Sequence, residues 1–331
     1  MSNLNSWSLK KVLSFFHSKS FKDTSPKLYD KKSFLRSEIP SLASKYGFLK
    51  KPSSQKVISF YTAKGGVLKT TLAYEFSTIL ALNGIKVISI GLDLQCSLTD
   101  LFFPFQDNPD SIESFQRPLG LYQYLYENVS LKDIIKKTEL PTLDVIPETP
   151  DLNILEKKLR DSKRREYVFS NKVINLLDSY DVIIFDNSPS WNLLIENSLT
   201  CSNNIISPIG CEIGTYQSLQ TNLNVLWDFK QEMDIEWDNF FLIPTMLDNT
   251  KLSKQIYDFY KDQFSNYLLP FPIKRSIVGQ ESILSGVSVL EYDNSSSLSS
   301  CYRSLMTNLW KKVLSSKSEI EPNSNIISET V

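Results

Sequence analysis

A glycine turn between a short apolar strand and an apolar helix carries the strongest chemical signal in the sequence. Residues 57–61 (Val-Ile-Ser-Phe-Tyr) are mostly β-branched or aromatic, which predicts a buried strand. Gly65 and Gly66 allow a tight turn whose N–H groups can approach an anion, and the next helix adds the partial positive charge of its N-terminus. Lys69 can neutralise phosphate oxygens, and the Thr70 hydroxyl can reach Mg²⁺. The segment therefore predicts a site for a nucleoside triphosphate and its magnesium ion.

Two carboxylates follow predicted strands elsewhere in the chain. Asp93 comes at the end of the strand after the turn, and Asp186 directly follows the apolar run 182–185. The carboxyl ends of parallel strands meet in the ligand crevice of such a sheet, so both side chains should lie beside the phosphate turn. The two carboxylates are therefore candidate residues of the ligand crevice.

The residues around the turn match a known nucleotide-binding loop. Residues 64–71 read Lys-Gly-Gly-Val-Leu-Lys-Thr-Thr, which resembles the deviant Walker A loop KGGVGKTT of the ParA/MinD family of P-loop ATPases. This resemblance implies that the loop binds ATP and that Lys64 reaches across a homodimer to the nucleotide of the partner subunit. Ala63 and Leu68 replace glycines of the general pattern G-x-x-x-x-G-K-[ST]. The predicted nucleotide-binding residues of the loop are Lys64, Gly65, Gly66, Val67, Leu68, Lys69, Thr70 and Thr71.

The second strand ends in a further family motif. Residues 91–95 resemble the pattern D-x-D-P-Q, with Gly91 in place of the first aspartate and Leu94 in place of the proline. By this resemblance, Asp93 positions or activates the attacking water. Together with Lys64 and Lys69 it forms the predicted catalytic set. The run that ends at Asp186 is similar to a Walker B motif, and this resemblance implies a magnesium site at Thr70, Asp93 and Asp186.

Later segments resemble the family's base-binding stretches, and the resemblance extends to about residue 314. Residues 244–248 (Pro-Thr-Met-Leu-Asp) are similar to T-M-[YF]-D, and residues 273–293 to the stretch that begins I-P-R, with Lys274 in place of the proline. The resemblance implies that Thr245, Met246 and Arg275 lie beside the purine base.

Apolar runs alternate with helical patterns from Lys56 onward, and this alternation predicts an α/β fold. We expect a doubly wound, mostly parallel sheet with helices on both faces over residues 56–314, the P-loop NTPase architecture. Residues 1–55 form a basic N-terminal extension, and the polar segment 315–331 is expected to be disordered. The predicted strands are 56–61, 86–90, 143–146, 181–185, 204–208, 240–244 and a short one near Leu268.

The N-terminal extension has its own charge and helical pattern. Residues 1–56 hold eleven lysines and one arginine against three acidic residues, a net charge of +9, so the remainder carries −10. Apolar residues recur at helical spacing between Trp7 and Phe16, and a second helix is predicted over Leu35–Phe48. The first helix could pack on the main domain or across a dimer, contact nucleic acid through its lysines, or lie on an anionic membrane.

Bulk composition and the apolar pattern argue against a membrane-spanning or a disulfide-rich secreted protein. Hydrophobic residues make up 41% and charged residues 22%, values typical of a soluble globular protein. No apolar run approaches the ~20 residues that span a bilayer, and no secretory signal opens the chain. The cysteines Cys96, Cys201, Cys211 and Cys301 lack C-x-x-C spacing and are expected to be reduced. We expect a cytoplasmic, nucleoid-associated protein.

Three functions remain open at the level of sequence. The first is a DNA partition ATPase that dimerises on ATP, binds DNA non-specifically and is stimulated by a ParB-like centromere-binding protein. The second is a MinD-like membrane-positioning ATPase, although the polar, acidic tail makes a membrane partner less expected. The third is a degenerate relative that binds nucleotide with little hydrolysis. The predicted DNA-binding residues are Lys251, Lys254, Lys274, Arg303 and Lys311.

Overall fold

The computed structural model describes residues 6–16, 33–104 and 119–315. The predicted disordered tail, apart from Ser315, lies outside these ranges, as do residues 1–5 and 17–32 of the extension. The described strands are β1 (Ser6–Ser8), β2 (Ser33–Leu35), β3 (Lys56–Phe60), β4 (Val87–Leu92), β5 (Lys136–Lys137), β6 (Leu143–Ile146), β7 (Val182–Asn187), β8 (Asn204–Gly210) and β9 (Asn239–Thr245).

Helices follow most of these strands. In chain order they are α1 (Leu9–Phe16), α2 (Ile39–Tyr46), α3 (Lys69–Leu82), α4 (Ser97–Phe102), α5 (Leu121–Tyr126), α6 (Leu131–Ile134), α7 (Leu152–Arg160), α8 (Val168–Lys172), α9 (Leu193–Cys201), α10 (Ile213–Glu232), α11 (Lys251–Gln263), α12 (Ile277–Leu284), α13 (Val289–Tyr292) and α14 (Ser297–Leu314). Within the described ranges, no helix is long and apolar enough to cross a membrane.

Seven strands form one sheet in the order β5-β6-β4-β7-β3-β8-β9. All neighbouring pairs are parallel except β5 with β6. Alternate residues of β7 face opposite layers: Val182 and Ile184 join one apolar cluster, whereas Ile183 and Phe185 join another. Strands covered by helices on both faces bury both sets of side chains, so they read as continuous apolar runs. The predicted doubly wound α/β fold is confirmed.

The seventh strand is not the one that the sequence predicts. Leu268 forms only an isolated parallel bridge with Leu242, and no strand is assigned there. The edge position is taken instead by Lys136–Lys137, which pairs antiparallel with β6. Two exposed lysines carry no hydrophobic signal, so sequence patterns could not predict this strand.

The described part of the N-terminal extension packs on the rest of the chain. Trp7, Val12 and Phe15 are at most 1% exposed and belong to the apolar cluster that also contains residues of α3 and α14. The Trp310 indole donates a hydrogen bond to the carbonyl of Lys50 at 2.7 Å. Among the three alternatives for α1, this placement agrees with packing on the main domain.

A buried ion pair also joins the extension to the main domain. Arg36 Nε and Nη2 donate to the two carboxylate oxygens of Glu291, at 2.7 and 3.0 Å, and both residues are buried. Glu291 is fully buried, but Arg36 holds its pKa below the usual value. Burial raises the pKa of the nearby Glu75 to about 8, which keeps that carboxyl mostly neutral at pH 7. Arg36 is therefore the cation that balances the buried Glu291 charge.

Candidate functional site

The phosphate turn connects β3 to α3 at the carboxyl edge of the sheet. Gly66 adopts a left-handed conformation with φ +76°, which favours glycine. The buried Thr245, at the end of β9, donates from Oγ1 to the carbonyl of Val67 at 3.1 Å. Thr245 therefore supports the turn, a contact that the sequence-based assignment to the purine base did not include.

Leu68 adopts a left-handed backbone conformation, which favours glycine. Its φ of 63° and ψ of 25° are left-handed, a conformation that costs a residue with a Cβ about 1–2 kcal/mol. The side chain is half-buried and packs against the apolar cluster beneath α3. Leu68 therefore packs its branched side chain against the core.

Lys69 and Asp186 form a buried ion pair beside the turn. Lys69 Nζ donates to Asp186 Oδ1 at 3.1 Å, and the two residues are 7% and 0% exposed. Burial raises the pKa of Asp186, and the Lys69 ammonium and the Thr70 hydroxyl beside it oppose that rise. β7 lies next to β3, so the sheet itself brings the two motifs together from 117 positions apart.

The residues present fit a magnesium ion. The second carboxylate oxygen of Asp186, Oδ2, is buried and has no hydrogen-bond partner. Leaving a buried acceptor unsatisfied is costly, and a water of a hydrated cation would satisfy it. The described residues contain no cluster of three or more His, Cys, Asp or Glu placed to hold a metal alone. Mg²⁺ does not need such a cluster, because it is commonly bound by one or two carboxylates together with substrate phosphates.

Asp93 lies in the loop between β4 and α4, close to Asp186. Its Oδ1 accepts a hydrogen bond from the Gln95 N–H at 3.1 Å, and the side chain is half-buried. Its charge is one of the influences that raise the pKa of Asp186. The structure thus brings Lys69, Thr70, Asp93 and Asp186 together at one edge of the sheet.

Lys64 is placed differently from Lys69. It is half-buried, and its Nζ would lie 3.5 Å from a Cβ built on Gly214, at the start of α10. Within the described ranges no hydrogen bond or ion pair is formed by its ammonium group. The Lys64 ammonium group is therefore unpaired among the described residues.

The predicted base-contacting residues lie at the end of β9. Met246 has a left-handed φ of 57°, and the Arg275 N–H bonds to the carbonyl of the adjacent Leu247 at 3.2 Å. Arg275 also forms an exposed ion pair with Glu212. Met246 and Arg275 thus come together at one edge, with Glu212 as a partner that the sequence analysis did not assign.

The candidate DNA-binding lysines are exposed and fall on different elements. Lys251 and Lys254 lie in the first turn of α11, Lys274 lies between α11 and α12, and Lys311 lies in the last turn of α14. Lys261, at the far end of α11, is on the same helix face as Lys254, seven residues away, but it is paired with Asp258 at 2.7 Å.

Arg303 faces the N-terminal extension. Its guanidinium lies 4.7 Å from the ring centroid of Phe48 and 5.8 Å from that of Phe15, and Nη2 donates to Asn294 at 2.7 Å. Its Nη1 is buried without a partner, and burial lowers the pKa of the group to about 10. Arg303 is therefore only partly exposed, unlike the candidate lysines, and its role in DNA binding stays a prediction.

Glu148 is a site residue that the sequence analysis missed. It follows β6, is 2% exposed, and accepts hydrogen bonds from the N–H groups of Leu98 and Thr99 at 3.2 and 2.9 Å. Burial, together with the negative charge of Asp186, raises the pKa of Glu148 to about 7. A carboxyl group after a buried strand indicates a polar site. The pairing of β6 with β4 is what shows where Glu148 lies, and the sequence alone does not give that pairing.

Comparison with known proteins agrees with this arrangement. A family model described as an AAA domain matches residues 55–238. The chromosome partitioning protein ParA of Caulobacter vibrioides is 30% identical over 243 residues, which cover 72% of this chain and 87% of the relative. The sporulation initiation inhibitor protein Soj of Bacillus subtilis is 29% identical over 239 residues, which cover 72% and 91% of the two chains.

A solved structure shows the same fold. A plasmid partition protein from Borrelia burgdorferi B31, bound to AMPPNP, matches with a TM-score of 0.63 and 23% identity, over 78% of this chain and 100% of that one. The family model spans more than half of the chain and includes the phosphate turn, Asp93 and Asp186. The chain therefore belongs to the ParA/MinD-type P-loop ATPases, the family of the ParA and Soj partition proteins.

Proposed function

We propose that this protein is a DNA partition ATPase that binds ATP with Mg²⁺, dimerises on the nucleotide and holds DNA non-specifically while dimeric. The observation that carries the proposal is the buried Lys69–Asp186 pair with its unsatisfied Oδ2, placed at the mouth of the phosphate turn. A positive charge, an unsatisfied acceptor and the N-terminus of α3 together favour an anionic ligand bound with a cation.

The phosphate turn and the strand beside it would hold the triphosphate and its metal ion. The N–H groups of Gly65 and Gly66 and the Lys69 ammonium contact the phosphates, while Thr70 and Asp186 hold the magnesium ion and its water. When bound, Mg²⁺ neutralises charge on the phosphate oxygens.

The remaining site residues act at the two ends of the nucleotide. Asp93, close to Asp186, orients the attacking water at the γ-phosphate. Met246 and Arg275, which come together at the end of β9, flank the base.

The position of Lys64 supports the proposed dimerisation. A lysine in a phosphate turn that contacts neither Asp186 nor another described anion can neutralise charge on a nucleotide held by a second subunit. The slow hydrolysis expected of such a dimer would be stimulated by a ParB-like centromere-binding protein, and association with the nucleoid follows from DNA binding.

The burial of α1 argues against the alternative, a MinD-like function at a membrane. The apolar side chains of that helix, Val12, Phe15 and Phe16, are at most 3% exposed. A helix that binds a membrane surface needs an exposed apolar face. In the described conformation the apolar face of α1 packs on the core. This packing supports the partition function over a MinD-like membrane anchor at α1.

DNA binding is expected to depend on the exposed lysines that begin α11. Each lysine that contacts a phosphate adds about 0.9 to the slope of log affinity against log salt, so Lys251→Gln with Lys254→Gln should lower that slope by about 2. The measurement is a fluorescence-anisotropy titration of duplex DNA with ATP and Mg²⁺ at several salt concentrations.

The matched control replaces Lys157 and Lys158, two exposed lysines in the last turn of α7, by glutamine. We expect the wild-type slope for this variant. Equal slopes for the two double variants would show that Lys251 and Lys254 of α11 do not contact DNA. Absence of DNA binding by the wild-type protein with ATP would contradict the partition function.

A further inference from the structure

Gly91 lacks a side chain at a position next to Asp186. The two residues are register partners on the neighbouring strands β4 and β7, and side chains of paired residues point to the same face of a sheet. The D-x-D-P-Q pattern that residues 91–95 resemble has an aspartate at this place. Relative to that pattern, this chain therefore lacks one carboxylate beside the proposed magnesium site.

The carboxyl group of Glu148 fills the space that a side chain at residue 91 would take. A Cβ built on Gly91 would overlap Glu148 Cδ and lie 2.5 Å from its Oε1. Such separations are far below van der Waals contact, so a side chain at residue 91 and Glu148 cannot share the site in this arrangement. The glycine is required because the glutamate is there.

Glu148 also fixes the segment that carries Asp93. Besides the N–H groups of Leu98 and Thr99, its carboxylate accepts a hydrogen bond from the Thr99 hydroxyl. Thr99 Oγ1 in turn accepts one from the Glu148 N–H at 3.0 Å. These bonds tie the start of α4 to the end of β6, and the loop between β4 and α4 holds Asp93.

We propose that Glu148 is a positioning residue that supplies, from the end of β6, the carboxylate that β4 lacks at Gly91. It orients the Asp93 loop for the attacking water and, in its ionised form, adds negative charge beside Asp186. This inference rests on the proposed function, because it assigns Glu148 to the same ATP and magnesium site.

The test moves the carboxylate between the two positions. Loss of a residue that positions a metal ligand typically costs 10–100-fold in metal affinity or activity. Glu148→Ala should therefore raise the Mg²⁺ concentration needed for half-maximal nucleotide binding about 10-fold. Gly91→Asp alone should also impair binding, because it clashes with Glu148. The double variant Gly91→Asp/Glu148→Ala should bind Mg²⁺ and nucleotide better than either single variant.

The main readout is binding of a fluorescent, non-hydrolysable ATP analogue as magnesium is titrated, so it does not require turnover. Circular dichroism and thermal melts establish that each variant is folded. Glu148→Gln keeps the shape but not the charge, and its amide nitrogen cannot accept the hydrogen bonds of one carboxylate oxygen. We expect it to resemble Glu148→Ala in Mg²⁺ dependence, whereas Asp100→Asn, at an exposed carboxylate of α4, should resemble the wild-type protein.

Two results would overturn the inference. One is a double variant no better than the worse single variant, and the other is a wild-type Mg²⁺ dependence in Glu148→Gln, which would leave Glu148 a purely structural role. Failure of the proposed function would look different. In that case the wild-type protein itself would show no magnesium-dependent nucleotide binding.

Discussion

Replacing Lys69 by alanine is expected to weaken ATP binding by about 10–100-fold and to abolish measurable turnover. A hydrogen bond to a charged group contributes about 1.5–3 kcal/mol, and Lys69 would make such bonds to the phosphates. Binding is measured as the rise in melting temperature with ATP and Mg²⁺, and turnover as release of phosphate. Nucleotide-dependent stabilisation equal to that of the wild-type protein would contradict the assignment of the phosphate turn.

A loss of binding could also come from a loss of folding, since Lys69 is the partner of a buried carboxylate. Breaking a buried pair by removing one partner costs about 3–5 kcal/mol. The control therefore combines Lys69→Ala with Asp186→Asn, which removes the charge of the partner as well. This double variant should recover stability, because no unpaired charge remains. A failure to recover nucleotide binding is not informative, because Asp186 is itself placed at the magnesium ion. Recovery of stability together with nucleotide binding would show that Lys69 acts only on the fold.

Replacing Arg36 by alanine is expected to lower the free energy of unfolding by about 3–5 kcal/mol. The substitution leaves the Glu291 carboxylate fully buried without its cation. The folded-state pKa of Glu291 lies below its usual value, so the pair stabilises the protein above the unfolded pKa of glutamate. That stabilisation is lost as the pH falls through the lower, folded-state pKa. Urea denaturation at pH 7 measures the effect.

An exposed ion pair provides the matched control for Arg36. Arg160, 63% exposed in its side chain, pairs with Glu156 one helical turn away, and Arg160→Ala should cost less than about 1 kcal/mol. The larger cost expected at Arg36 reflects a segment that is part of the folded core. If Arg36→Ala cost no more than Arg160→Ala, the N-terminal extension would instead be a dispensable appendage.

The sequence predicts those parts of the molecule that have a local signal. Six of the predicted strands lie in the sheet because β-branched and aromatic runs must be buried on both faces. The turn from Lys64 to Thr71 is recognisable because glycine, lysine and threonine occur at fixed spacing. The convergence of Lys69 and Asp186 follows from the rule that parallel strands present their carboxyl ends at one edge.

Other features depend on tertiary contacts that no local pattern encodes. The burial of Arg303 against Phe15 and Phe48 joins residues more than 250 positions apart. The glycine at residue 91 indicates that space is needed there, but not that Glu148 fills it. These contacts become visible only once the strand order is known.

The central claim is that the phosphate turn holds a triphosphate and is completed by a second copy of the chain. Sedimentation velocity with Mg²⁺ and a non-hydrolysable ATP analogue tests it most directly. We expect a monomer without nucleotide and a dimer with it, and a Lys64→Ala variant that binds the analogue but stays monomeric. A wild-type protein that remains monomeric when saturated with the analogue would contradict the claim.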